Sequence, residues 1–75
     1  MSDVIVVDAK GLSCPLPIVR TAQAVKTAAP GTLIEVLATD AGSVRDFEAW
    51  SRTTGHQLVE SDIEGPIYRF LILRK

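Results

Sequence analysis

Asp3-Val4-Ile5-Val6-Val7-Asp8, followed closely by Gly11-Leu12-Ser13-Cys14-Pro15-Leu16-Pro17, is the stretch on which the reading of this chain turns. The first six residues are a nearly continuous apolar run bounded by acids, the pattern of a short buried strand. Beyond the prolines, Ile18, Ala22, Val25 and Ala29 recur at spacings of four, three and four, a helical stripe with Arg20, Gln23 and Thr27 on the opposite side. A strand passing at once into an amphipathic helix opens an α/β unit, and Cys14, the only cysteine, lies at the junction. A helix N-terminus favours thiolate over thiol, so this placement predicts an exposed, acidified Cys14 that caps the helix. Pro15 is expected at the first helical position and Pro17 within the first turn, where a missing N–H is no loss. Leu16 and Ile18 keep first-turn N–H groups able to face an anion at Cys14. The competing reading, a cysteine buried as a small hydrophobe, fits a strand–helix junction poorly, because such junctions lie at the rim.

Downstream, Pro30-Gly31 stops the first helix, and residues 32–38 read as a second strand. A helix of about twelve residues follows, with Asp40 or Ser43 as its N-cap, Val44, Phe47 and Trp50 on its inward face, and Gly55 at its end. Residues 56–63 form a weaker strand, Glu64-Gly65-Pro66 a turn, and residues 67–73 the strongest strand of the chain. Strand–helix–strand units cross over right-handed, which puts both helices on one face of the sheet, and the short last turn makes the final pair antiparallel. The expected fold is an α/β two-layer sandwich, β-α-β-α-β-β, with a mixed four-stranded sheet, formed as one domain over residues 1–75. Several strands carry aliphatic residues at both alternating positions. Two helices cover only one face, so an aliphatic patch is expected on the other.

Bulk properties exclude more than they select. The chain has 75 residues, 47% of them hydrophobic, and eight basic against nine acidic side chains give a net charge of −1. That balance argues against direct nucleic-acid binding. One cysteine cannot staple the fold, and neither a basic apolar leader nor a membrane-length apolar run is present, so a cytoplasmic protein without membrane association is expected. One histidine, His56, and one cysteine make no metal-ligand cluster, so no metal is expected and His56 reads as a helix-end or surface residue. Trp50 and Phe47 share the helical phase of Val44 and read as core. No Ser-His-Asp set, phosphate loop or dinucleotide fingerprint appears. The remaining chemistry is an exposed thiol that must work with partners. Lys10, Arg20 and Lys26 flank or follow it, and with Asp40, Arg45 and Asp46 they are the candidate docking residues.

The pattern Asp8-x-x-Gly11-Leu12-x-Cys14-Pro15-x-Pro17 resembles the signature of the TusA/SirA family of small sulfur-carrier proteins. The resemblance runs over about residues 4–73 and includes Pro30-Gly31, Asp40, Arg45-Asp46, Gly55-His56 and Tyr68-Arg69. It implies strand order 1-2-4-3, with the last strand antiparallel to the others. It also implies that Cys14 carries sulfur as a transient persulfide, with no other cofactor, and that Gly11, Leu12, Pro15, Leu16 and Pro17 support that site. Many relatives have a second cysteine near the place of Ser51, and with Ser51 there no intramolecular disulfide forms. The implied function is a stoichiometric carrier, not a self-contained enzyme. It would accept sulfane sulfur from a cysteine desulfurase or rhodanese-type donor and pass it to an acceptor protein, in tRNA thiolation, cofactor sulfuration or sulfur oxidation. The alternative is a redox-responsive interaction module in which Cys14 becomes a sulfenate or mixed disulfide. The expected state is a monomer, with weak self-association through the open sheet face. Pro17 is expected to stiffen an exposed first turn, so Pro17→Ala is predicted to change stability by no more than about 1 kcal/mol.

Overall fold

The computed structural model describes residues 4–75; Asp3, expected to begin the first strand, lies outside the described residues. The elements run β1 (Val4–Ala9), α1 (Leu16–Thr27), β2 (Leu33–Ala38), α2 (Ser43–Thr54), β3 (Gln57–Glu64) and β4 (Ile67–Leu73). They build one four-stranded mixed sheet in the order β1-β2-β4-β3. β1 pairs parallel with β2, and β4 pairs antiparallel with both β2 and β3. The hairpin strand β4 therefore enters the middle of the sheet and pushes β3 to the edge. Composition explains which strand goes where. β4 is apolar at both alternating positions and suits a central place, whereas β3 carries Glu60, Asp62 and Glu64, the charges that keep an edge strand from pairing further. A bulge between Leu58 and Glu60 further interrupts the β3 ladder.

One phase of each strand meets the helices. Val7 and Ala9, Ile34, Val36 and Ala38, and Phe70 and Ile72 are buried on that side, together with Val25 of α1, its C-cap Ala28 and Phe47 of α2. Phe47 stacks on Phe70 with ring centroids 4.5 Å apart and meets the edge of Trp50 at 6.1 Å. Each fully buried phenylalanine removes enough apolar surface to contribute about 2–3 kcal/mol, and this aromatic pair clamps α2 to the centre of the sheet. The other face carries Val4, Val6, Leu33, Leu37, Leu71 and Leu73. Val4 and Val6 are 48% and 57% exposed, so the expected aliphatic patch is there. Its middle is polar: Arg69 pairs with Glu35 and approaches Asp62 at 3.6 Å.

The first helix is turned relative to its apolar stripe. Pro17, Thr21, Val25 and Ala28 face the core, while Ala22 and Ala29 are exposed. Thr21 is fully buried because its hydroxyl donates to the Pro17 carbonyl at 2.8 Å, which removes the cost of hiding it. Pro17 is also fully buried, which corrects the expectation of an exposed, stiffening proline: its ring packs as core. The displaced stripe lines something else. Ile18, Val19, Ala22 and Lys26 of α1 face Trp50 of α2 and His56 across an open groove of about 480 Å³. Among the described residues, no helix is long and apolar enough to cross a membrane.

Candidate functional site

Cys14 lies on the loop from β1 to α1. The loop leaves β1 through a turn in which Leu12 N–H donates to the Ala9 carbonyl at 3.2 Å and Lys10 N–H to the Asp8 carboxylate at 3.1 Å. Gly11 takes φ +80°, a left-handed conformation that side chains disfavour, and its N–H donates to the Thr39 hydroxyl at 2.9 Å. Gly11 therefore fastens this loop to the neighbouring loop between β2 and α2, and Asp40 on that second loop completes the fastening. One oxygen of its carboxylate accepts the Cys14 backbone N–H at 2.9 Å, while its own carbonyl accepts Ser43 N–H at 3.0 Å. The peptide bond between Cys14 and Pro15 is cis.

Three expectations about this loop are corrected. Pro15, not Cys14, holds the N-cap position, and α1 starts at Leu16 with Pro17 in its second place. The Leu16 N–H donates to the Ser13 carbonyl at 2.8 Å, so it is not free to face an anion at the sulfur. The Cys14 thiol, exposed to solvent, instead donates to the Asp46 carboxylate of α2 at 2.6 Å. This hydrogen bond raises the Cys14 pKa above the ordinary thiol value, reinforced by desolvation and by the negative charges of Asp46 and Asp40. The predicted acidification is thus reversed. A helix N-terminus acts within its first turn, and here the Leu16 N–H of that turn is turned to Ser13, while a carboxylate sits directly against the sulfur.

The second helix was expected to be capped by Asp40 or Ser43. Gly42 occupies its N-cap, no side chain caps it, and the Asp40 carboxylate is turned to Cys14. Ser43 is the first helical residue, and its buried hydroxyl has no hydrogen-bond partner among the described residues. At the far end, Gly55 takes the left-handed C-cap conformation (φ +83°) and donates to the Ser51 carbonyl at 2.9 Å. The Ser51 hydroxyl donates to the His56 carbonyl at 2.5 Å, so the side chain at the place of the second cysteine closes the helix end. The His56 ring lies tilted against Trp50, centroids 5.4 Å apart, and its Nδ1 accepts the Lys75 N–H at 3.2 Å. Burial first, then the charges of Arg74 and Lys75, lower its pKa and keep the imidazole neutral.

Of the candidate residues, Asp40 and Asp46 bond Cys14 directly, Pro15 follows it in the chain, and Gly11 bonds Thr39, the neighbour of Asp40. Leu12 packs against the core, Leu16 is exposed, and Pro17 is fully buried in the first turn of α1. Lys10, Arg20, Lys26 and Arg45 are exposed and form no ion pair among the described residues; Lys26 lines the groove between the helices. Thr39 was missed. A threonine directly after a strand gives no signal that its hydroxyl will receive an N–H from 28 residues away. Among the described residues, no three His, Cys, Asp or Glu side chains gather into a metal-holding arrangement.

The family model for sulfurtransferase TusA matches residues 5–74. The chain belongs to that family. YrkI of Bacillus subtilis is 51% identical over 67 residues, 89% of each protein. Sulfur carrier protein TusA of Allochromatium vinosum is 48% identical over 65 residues, 87% of this chain and 86% of that one. YrkF of Bacillus subtilis matches 96% of this chain at 46% identity, but the matched part is only 39% of that longer protein. A crystal structure of a SirA-like protein from Desulfitobacterium hafniense shares the fold, with a TM-score of 0.80, 24% identity and coverage of 92% of this chain and 95% of that one. This TusA family member thus shares its overall fold with that structural neighbour.

Proposed function

We propose that this protein is a sulfur carrier, in which Cys14 receives sulfane sulfur as a persulfide from a donor protein and delivers it to an acceptor protein. The observation that carries the reading is the solvent-exposed Cys14 on a rim loop held by Asp40 and Asp46, in a chain of the TusA family. Its relative from Allochromatium vinosum is named a sulfur carrier protein, which supports the same role here. The donor is a persulfide of the cysteine desulfurase or rhodanese type, and the acceptor belongs to a sulfur relay such as tRNA thiolation, cofactor sulfuration or sulfur oxidation. Thiol–persulfide exchange needs an approachable sulfur and a nucleophile that becomes thiolate during attack, and the loop supplies the first of these. Partner docking is assigned to the exposed cations Lys10, Arg20, Lys26 and Arg45 around the site and along α1.

Intact mass after incubation with a protein persulfide donor tests the reading. The expected result is the gain of one sulfur atom on Cys14, lost again on addition of a reductant. Gain of oxygen atoms in place of sulfur would support the redox-responsive module and overturn the carrier. A protein that gains neither would also overturn it.

A further inference from the structure

The activated thiol expected from the sequence is replaced by a hydrogen-bonded one, and the residues that hold it suggest how it is released. Cys14 is gripped twice: its N–H by one oxygen of Asp40 at 2.9 Å and its thiol by one oxygen of Asp46 at 2.6 Å. These two carboxylates are the charges that act on the sulfur, one from the loop before α2 and one from α2 itself. Among the described residues, no lysine or arginine pairs with either carboxylate, and the neighbouring cations Lys10 and Arg45 are exposed and unpaired. A carboxylate is a far weaker base than a thiolate, so the shared proton stays on sulfur. The resting state is a neutral thiol beside an anion, the reverse of what nucleophilic attack requires.

We propose that Asp46 is a positioning residue that locks Cys14 as a resting thiol until a cationic side chain of the sulfur-delivering partner pairs with its carboxylate. The inference rests on the carrier reading for its biological meaning, but not for its geometry. In the complex, a partner lysine or arginine draws off the Asp46 oxygen and replaces the negative charge at Cys14 with a net neutral pair, which favours thiolate. The Cys14 thiolate then attacks the outer sulfur of the donor persulfide. A bond forms from Cys14 to that sulfur, the donor's S–S bond breaks, and the donor cysteine leaves as a thiolate that takes the proton released from Cys14. Sulfur moves between two cysteines with no net oxidation. The lock also explains how an exposed thiol can wait without reacting: oxidants and adventitious disulfides, like donors, are attacked by thiolate. The partner is therefore recognised at this point by a cation placed beside its reactive sulfur.

The test is the pH profile of iodoacetamide labelling of Cys14 in wild type, Asp46→Asn and Asp46→Glu, with melting temperature as the fold control. Asp46→Asn is expected to label faster at neutral pH, about tenfold for each pKa unit removed, with its midpoint moved down; Asp46→Glu is expected to stay near wild type. Coincident profiles for wild type and Asp46→Asn would overturn the lock. Tri-arginine peptide, used as the cationic probe, is expected to accelerate labelling of wild type and not of Asp46→Asn. Acceleration of neither protein, or of both equally, would overturn release by a cation. Sulfur gain from a persulfide donor is scored separately. Shifted labelling without sulfur gain leaves the lock standing and removes the carrier, whereas sulfur gain with unshifted labelling does the opposite.

Discussion

The two ends of α2 solve the same electrostatic problem with opposite charges. At its N-terminal end, Asp46 and Asp40 act on Cys14 and raise its pKa; at its C-terminal end, burial, Arg74 and Lys75 act on His56 and lower its pKa. Both shifts favour the neutral form, thiol at one end and imidazole at the other. Their surroundings then separate them. Cys14 lies open to solvent, its N–H and thiol held by the carboxylates of Asp40 and Asp46, so its state answers to whatever docks there. His56 lies against Trp50 and is tied to the Lys75 backbone, so its state answers to folding. A neutral titratable group is a functional feature at an exposed rim and a structural one beneath an aromatic ring.

The sharpest way to separate the two ends is Cys14→Ser. Serine still donates to Asp46 but cannot form a persulfide, so sulfur loading is expected to vanish entirely in intact-mass measurements while the melting temperature stays within a degree or two of wild type. A strongly destabilised serine variant would show that the thiol end is structural as well, and the contrast would collapse. Pro17→Ala probes the floor beneath the same end. Because the ring is fully buried, the loss is expected to be about 1–2 kcal/mol in urea unfolding. A cost near zero would mean the cavity closes and the ring does not support the loop.

At the other end, His56 makes stability depend on pH. Its folded pKa lies below the unfolded value of about 6.5, so the unfolded chain takes up a proton first as pH falls. The contribution is complete above pH 6.5 or so and is lost between there and the lowered folded pKa. It should amount to less than about 1 kcal/mol, because the ring is only partly enclosed. His56→Gln is expected to flatten that slope without touching sulfur loading; a slope that survives the substitution would assign it to carboxylates. The smallest effect belongs to Ser43, whose buried, unpartnered hydroxyl makes Ser43→Ala neutral or stabilising, within about 1 kcal/mol. A clear loss would reveal a bond to that hydroxyl. The open sheet face is a further, weak element: sedimentation is expected to show slight concentration-dependent association through Val4 and Val6, and concentration-independent behaviour would remove it.

Local pattern was enough for the elements and the two-layer mixed sheet, while the strand order rested on the family resemblance. The apolar run at Val4–Val7, the helix-stopping Pro30-Gly31, the left-handed Gly55 and the two-phase apolar strand at 67–73 each act within a few residues of themselves, so each was legible along the chain. The Gly11-to-Pro17 motif likewise marked Cys14 and named the family. The face of α1 that meets the core was not legible, because both Pro17-Thr21-Val25 and Ile18-Ala22-Val25 are helical stripes, and only the sheet beneath and α2 beside decide which is buried and which lines a groove. Nor was the protonation of Cys14. Neighbours in sequence offered a helix end that acidifies; the folded chain brought Asp40 and Asp46 from 26 and 32 residues away and set a carboxylate against the sulfur. A direct hydrogen bond to an anion outweighs the partial charge of a helix end, and which of the two reaches the thiol is a matter of how the Cys14 loop meets Asp40 and the first turn of α2.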